Sequence, residues 1–145
     1  MRITLRDITM DNFLECIRLK VAEHQRGFVA ENVLSLAEAK ADSVSNPYAI
    51  YADDQMVGFV MYDFAPKESR GYITRLMIDA RYQGKGYGRK AMRQVIERLR
   101  AIPECKELQT GYVPRNETAK KLYESFGFEA VDVDADGEII ARMSA

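Results

Sequence analysis

The stretch RYQGKGYGRK at positions 81–90 packs three glycines and four cations into ten residues. It lies between an apolar, strand-like run and an amphipathic, helix-like run. Glycines between a strand and a helix let the backbone come close to a ligand. The start of a helix offers unpaired N–H groups and a partial positive charge of about half a unit. Lys85, Arg89 and Lys90 add full charges beside Gly84, Gly86, Tyr87 and Gly88. These parts together suit a phosphate or a pyrophosphate. The GxxxxGK[ST] pattern of a P-loop is absent, and Gly84-Lys85-Gly86-Tyr87-Gly88 has the wrong spacing for a dinucleotide fingerprint.

Other chemistries find little support. There is one histidine, His24, and no CxxC, so neither a zinc site nor any other metal site is expected. No GxSxG elbow accompanies His24 for a hydrolase triad. Cys16 and Cys105 stand far apart in sequence and read as free thiols of a reducing cytoplasm. A net charge of −1 without a basic tail argues against nucleic acid as a partner. No apolar run approaches the roughly 18 residues that span a membrane, and the N-terminus lacks the continuous apolar core of a signal peptide.

The elements that must position the glycine loop follow from periodicity. The length of 145 residues suits one domain. Near-alternation at Ile3, Leu5 and Ile8 predicts a strand over 2–7. Thr9 is placed to cap a helix with Phe13, Leu14, Ile17 and Val21 on one face. Ser35 and Glu38 form a capping box for a second helix reaching about Ser43. YAIYA and MVGFVMYDF predict a hairpin across Asp53-Asp54. GYITRLMID reads as a strand covered on both faces, leading into the glycine loop. Ala91, Met92, Val95, Ile96 and Leu99 repeat with helical spacing before Pro103. LQTGYV is a further strand, whose isolated Gly111 fits a bulge. Asn116 can cap a helix with Ala119, Leu122, Tyr123 and Phe126 on one stripe and Gly127 at its end. Asp136-Gly137 marks a final hairpin. By periodicity alone, Tyr123 is a core aromatic.

RYQGKGYGRKAM resembles the R/Q-x-x-G-x-G/A signature of the GCN5-related N-acetyltransferases, matched by Arg81, Gly84 and Gly86. ITRLMID resembles that family's fourth strand, and NETAKKLYESFGF its N-x-x-A-x-x-L-Y-x-x-x-G-F segment. The resemblance implies a mixed α/β fold: a twisted sheet of about seven strands, antiparallel and parallel in part, flanked by four helices. It implies acetyl-CoA as co-substrate and an amine as acceptor. Backbone groups of Leu76, Met77 and Ile78 would pair with the pantetheine arm. Gly84, Lys85, Gly86, Tyr87, Gly88 and Arg89 would hold the pyrophosphate. Asn116 would contact the cofactor where two strands splay apart, and Tyr123 would protonate the departing thiolate.

Acetyl transfer needs a neutral amine. An alkylammonium of pKa about 10.4 is neutral in only about one part in a few thousand at pH 7, which costs about 4–5 kcal/mol. A proton acceptor is therefore useful. Many relatives carry a carboxylate on the fourth strand, where this sequence has Thr74 and Arg75. Water relaying the proton to Glu23 or Glu31 is the expected substitute.

The segment LKVAEHQRGFVAENVLSLAEAKADS resembles the N-terminal region of bacterial spermine/spermidine N-acetyltransferases. That resemblance implies a polyamine acceptor, with Glu23 and Glu31 for its ammonium groups and Phe28 as apolar wall. Two alternatives stand beside it: transfer to another amine (an aminoglycoside, an amino acid derivative or a protein N-terminus), and an acyl-CoA-binding module without turnover. Exposed C-terminal strand edges make a homodimer an expectation.

Overall fold

The computed structural model describes all 145 residues. Seven strands form one sheet: β1 (Ile3–Asp7), β2 (Asn46–Ala52), β3 (Gln55–Ala65), β4 (Arg70–Ile78), β5 (Glu107–Tyr112), β6 (Glu129–Val133) and β7 (Ile139–Ser144). Their order is β1-β2-β3-β4-β5-β7-β6, and β4/β5 is the parallel pair among antiparallel neighbours. Four α-helices accompany the sheet: α1 (Phe13–Arg18), α2 (Asn32–Ala41), α3 (Tyr87–Arg100) and α4 (Glu117–Phe126). This is the mixed architecture expected, and α3 is the crossover that a parallel pair requires. No helix is long and apolar enough to cross a membrane.

The sheet is covered on both faces. Ala91, Met92, Val95, Ile96 and Leu99 of α3 are all buried and join Ile50, Val60, Ile73 and Leu108 in the larger core. Cys16 and Leu19, in and just after α1, join Phe59, Met61 and Met77 in the smaller one. Strand alternation therefore sends Val60 to one core and its neighbours Phe59 and Met61 to the other, so β3 is apolar on successive residues.

The first two helices differ from the sequence expectation. The N-cap position of α1 is Asn12, not Thr9. Thr9 instead shapes the turn before it: its N–H donates to Asn12 Oδ1 at 2.7 Å and its carbonyl accepts from Phe13 N–H at 2.9 Å. Leu14 is exposed and Val21 lies past the end of the helix. Helix α2 begins a turn before the predicted capping box, so Ser35 is buried inside it rather than capping it. Long-range packing decides this. Buried Asn32 donates from Nδ2 to the Cys16 carbonyl at 2.9 Å, tying the start of α2 to α1.

The bulge expected at Gly111 is also elsewhere. Gly111 pairs with Ile140 in an unbroken β5/β7 register. Of the sheet's three register shifts, the one next to β5 lies in β4: Met61 pairs with Arg75 and Tyr62 with Ile73, leaving Thr74 as the extra residue. Thr74 Oγ1 donates to the Met61 carbonyl at 3.1 Å and pins the bulge. A bulge bends its strand and ends pairing, and β4/β5 pairing stops at Ile73↔Thr110. Beyond that point the two strands part.

Candidate active site

The parting of β4 and β5 opens a cavity of about 900 Å³. That volume is in the range of small-molecule and cofactor sites. Its floor is β4 from Ile73 to Ile78, a stretch whose β5-facing edge has no strand partner past Ile73. Leu76, Met77 and Ile78 all line it. The Ile78 carbonyl is already engaged, accepting from Gln83 Nε2 at 2.8 Å.

The glycine loop closes one end. Gly84 and Gly86 adopt φ of +77° and +81°, the left-handed region that L side chains resist, and no heavy atom lies within 4 Å of where a Cβ would stand on either. Gly86 is the N-cap residue of α3. The N–H groups of Tyr87, Gly88 and Arg89 therefore begin a helix without intrahelical partners. Gly84, Gly86, Tyr87, Gly88 and Arg89 line the cavity, whereas Lys85 is outside its lining. The Tyr87 ring turns into the core, and Arg89 leans toward α4, donating from Nη1 to Ser125 Oγ at 2.7 Å. Asp79 anchors the base of the loop. Its Oδ1 accepts from Arg81 N–H at 3.0 Å and Arg81 Nε at 2.8 Å, and its Oδ2 accepts from Lys20 N–H at 3.0 Å. Burial pushes its carboxyl up, but these donors outweigh burial and hold it below the ordinary carboxylate value.

Asn116 and Tyr123 come from α4. Asn116 Oδ1 accepts from Ala119 N–H at 3.1 Å, as an N-cap should, and the residue also lines the cavity. Gly127 ends the helix with φ +107°. Tyr123 is buried, packs 5.9 Å from the ring centroids of both Tyr112 and Phe128, and lines the cavity too. Both readings of Tyr123, core aromatic and cavity residue, thus describe one placement. Burial pushes its phenol above the ordinary value, and the neighbouring Thr110 hydroxyl pulls the other way. A phenol so placed stays protonated at neutral pH and is fit to donate.

The opposite wall comes from the chain between α1 and α2. Gly27, Phe28, Val29 and Ala30 line the cavity. The Arg115 guanidinium stands 5.2 Å from the Phe28 ring centroid and bridges that wall to the β5–α4 loop. Gln25 and Gln83 exchange side-chain amide hydrogen bonds at 2.8 and 3.1 Å, joining that wall to the glycine loop. Glu23 and Glu31 are exposed and outside the lining, and Glu23 pairs with Arg26 at 3.0 Å. Arg75 points to α2 and pairs with Glu38 at 2.7 Å. Cys16 is buried and its thiol is pushed up to about 12 by burial, with Glu15 adding to the effect. It is no nucleophile at neutral pH. No group of three or more His, Cys, Asp or Glu residues is arranged to hold a metal.

Gln25, Gln83, Lys121 and Glu138 line the cavity without having stood out in the sequence. In sequence, Glu138 merely follows the Asp136-Gly137 turn. It reaches the cavity because β7 pairs with β5, with Ile139 opposite Tyr112, which sets the residue before β7 at the C-terminal end of β5.

Comparison with known proteins agrees with this geometry. The model of the acetyltransferase (GNAT) family matches residues 5–128. A spermine/spermidine N(1)-acetyltransferase of Bacillus subtilis (strain 168) is 32% identical, over 95% of this chain and 95% of its own. Among solved structures, an aminoglycoside acetyltransferase in complex with coenzyme A and kanamycin has a TM-score of 0.80 at 22% identity, over 99% of this chain and 95% of that one. The PaiA N-acetyltransferase of Thermoplasma acidophilum, in complex with coenzyme A, has a TM-score of 0.74 at 15% identity, over 100% of both chains. These last two are likenesses of fold. The chain belongs to the acetyltransferase (GNAT) family and is an N-acetyltransferase by class.

Proposed function

We propose that this protein transfers the acetyl group of acetyl-CoA to a primary amine of a polyamine such as spermidine or spermine. The observation that carries the reading is the one cavity joining three features: an unpaired β4 edge, an open glycine cradle at the start of α3, and a buried phenol. The cradle fits a pyrophosphate, since the space in front of Gly84 and Gly86 is clear and the α3 N–H groups face no helical partner. The β4 edge beyond Thr74 offers the pantetheine amides a strand-like partner through Leu76, Met77 and Ile78. The thioester would then lie toward Tyr123, whose proton goes to the sulfur as the C–S bond breaks.

The polyamine acceptor is supported by the likeness over nearly the whole chain to the Bacillus subtilis enzyme. Phe28 and Val29 offer apolar wall for methylenes. Glu23 and Glu31, exposed on the same segment, would draw the distal ammonium groups toward the mouth rather than bind within the cavity. Two unpaired cysteines suit a reducing cytoplasm. A homodimer would form along β6, an edge strand with Val131 and Val133 more than half exposed.

Thiol release from acetyl-CoA, measured with spermine, spermidine, putrescine, an aminoglycoside and a short peptide, tests the reading. Saturable release with spermidine or spermine and none with the peptide is the expected result. Release with another amine alone would reassign the acceptor. Binding of coenzyme A without release from any amine would make the protein an acyl-CoA-binding module.

A further inference from the structure

Three cations, Arg75, Arg89 and Lys121, line the cavity, and Glu138 is the one carboxylate that does. The Glu138 side chain is half-buried and has no ion-pair partner in the chain. Its backbone is fixed: Asp134 Oδ1 accepts from the N–H groups of Asp136 and Glu138, each at 2.9 Å, and the Glu138 carbonyl accepts from Asp134 N–H at 2.9 Å. Across from it, Gly111 supplies room. A Cβ on Gly111 would stand 3.9 Å from Glu138 Oε1, so a larger side chain there would occupy the space that the carboxylate now faces. Gly111 follows Thr110, where β4/β5 pairing ends. The free carboxylate thus lies beside Gly111, one residue past the last β4/β5 pair, on the lining of the cavity that opens there.

We infer that Glu138 is the catalytic carboxylate that binds the acceptor's reacting ammonium and removes its proton, directly or through one water. This rests on the acetyl-transfer reading above and supplies the base that Thr74 and Arg75 do not. The ammonium gives one proton to Glu138. The neutral nitrogen attacks the thioester carbonyl carbon, so a C–N bond forms and the C–S bond breaks. Tyr123 protonates the departing sulfur and recovers a proton from the acylated nitrogen through water. Glu138 releases its own proton to solvent. The totals are an amide, a thiol and one proton from an ammonium and a thioester. Arg75 is held by Glu38 and cannot neutralise the carboxylate without leaving that pair.

The test compares wild type with Glu138→Gln, which keeps the shape and removes the charge. Thiol release is measured from pH 6.5 to 10 with whichever primary amine the wild type uses best. The expected loss in kcat/KM is ~10²-fold or more near pH 7, within the usual range for general-base catalysis. That deficit should shrink as the pH approaches the amine's own pKa of about 10, because the amine then arrives neutral. Coenzyme A affinity by calorimetry should be unchanged. A variant with wild-type kcat/KM at pH 7 would overturn the inference. So would a deficit of the same size at every pH, since that marks a positioning or structural role. A wild type inactive on every amine would instead overturn the acetyl-transfer reading, and this inference with it.

Discussion

At the scale of single residues, the proposed mechanism gives its two proton tasks to groups in different environments. The Tyr123 phenol is buried and stays protonated, while the Glu138 carboxylate faces the cavity without a cationic partner. Replacing Tyr123 with Phe removes one proton donor and leaves the ring packing against Tyr112 and Phe128. Turnover should fall ~10²-fold or more while coenzyme A affinity persists; unchanged turnover on the best amine would remove Tyr123 from the mechanism. Asp63 presents a different problem. Its Oδ1 is buried without a hydrogen-bond partner, and its carboxyl is pushed up to about 6, by burial first and then by Asp42, Glu38 and Glu68. Between the usual aspartate value and about 6, the folded state binds more protons than the unfolded one, so stability falls as pH rises through that window. An Asp63→Asn variant should thus be more stable than wild type at pH 7, by about 1–2 kcal/mol after allowing for solvent screening of a partly buried group. The advantage should vanish below about pH 4, near the unfolded value. Denaturant melts at both pH values would show it; an equal difference at the two would assign the effect to packing.

At the scale of elements, the site is made by a bulge, a cradle and a hairpin end. The Thr74 bulge detaches β4 from β5, and the cradle closes the space so opened. A Gly86→Val change puts a β-branched residue at φ +81°. Strain of about 1–2 kcal/mol, together with a side chain in front of the α3 N–H groups, should lower coenzyme A affinity by at least ~10-fold. Retained affinity in calorimetry would place the pyrophosphate elsewhere. How far these elements were legible depended on whether their causes are local. The glycine loop, the α3 stripe, the Asn116 cap and the Gly127 stop are written in neighbouring residues, and each is found where the sequence puts it. The start of α2 is not local, because the buried Asn32 bond to Cys16 fixes it across 16 residues. The bulge was expected at Gly111 for want of a side chain, but it arose at Thr74 from a register set by β3. Glu138 was illegible for the same reason: a turn-flanking acid becomes a cavity residue only once β7 pairs with β5.

At the scale of the whole molecule, one sheet carries two cores and one cavity between its parted strands. The fold is shared with acetyltransferases of different acceptors, so the fold alone does not choose an amine. In the proposed reading, that choice would fall to the wall of Phe28 and Val29, the Arg115 bridge and the lone carboxylate of Glu138. The most direct test is a competition. Spermidine, an aminoglycoside and a short peptide are incubated together at equal concentration with acetyl-CoA and a catalytic amount of the protein, and the acetylated products are quantified by mass spectrometry. Under competition the product ratios report the ratios of kcat/KM. The account requires acetylspermidine to dominate, with the peptide unmodified. Preferential acetylation of the aminoglycoside or the peptide would contradict it.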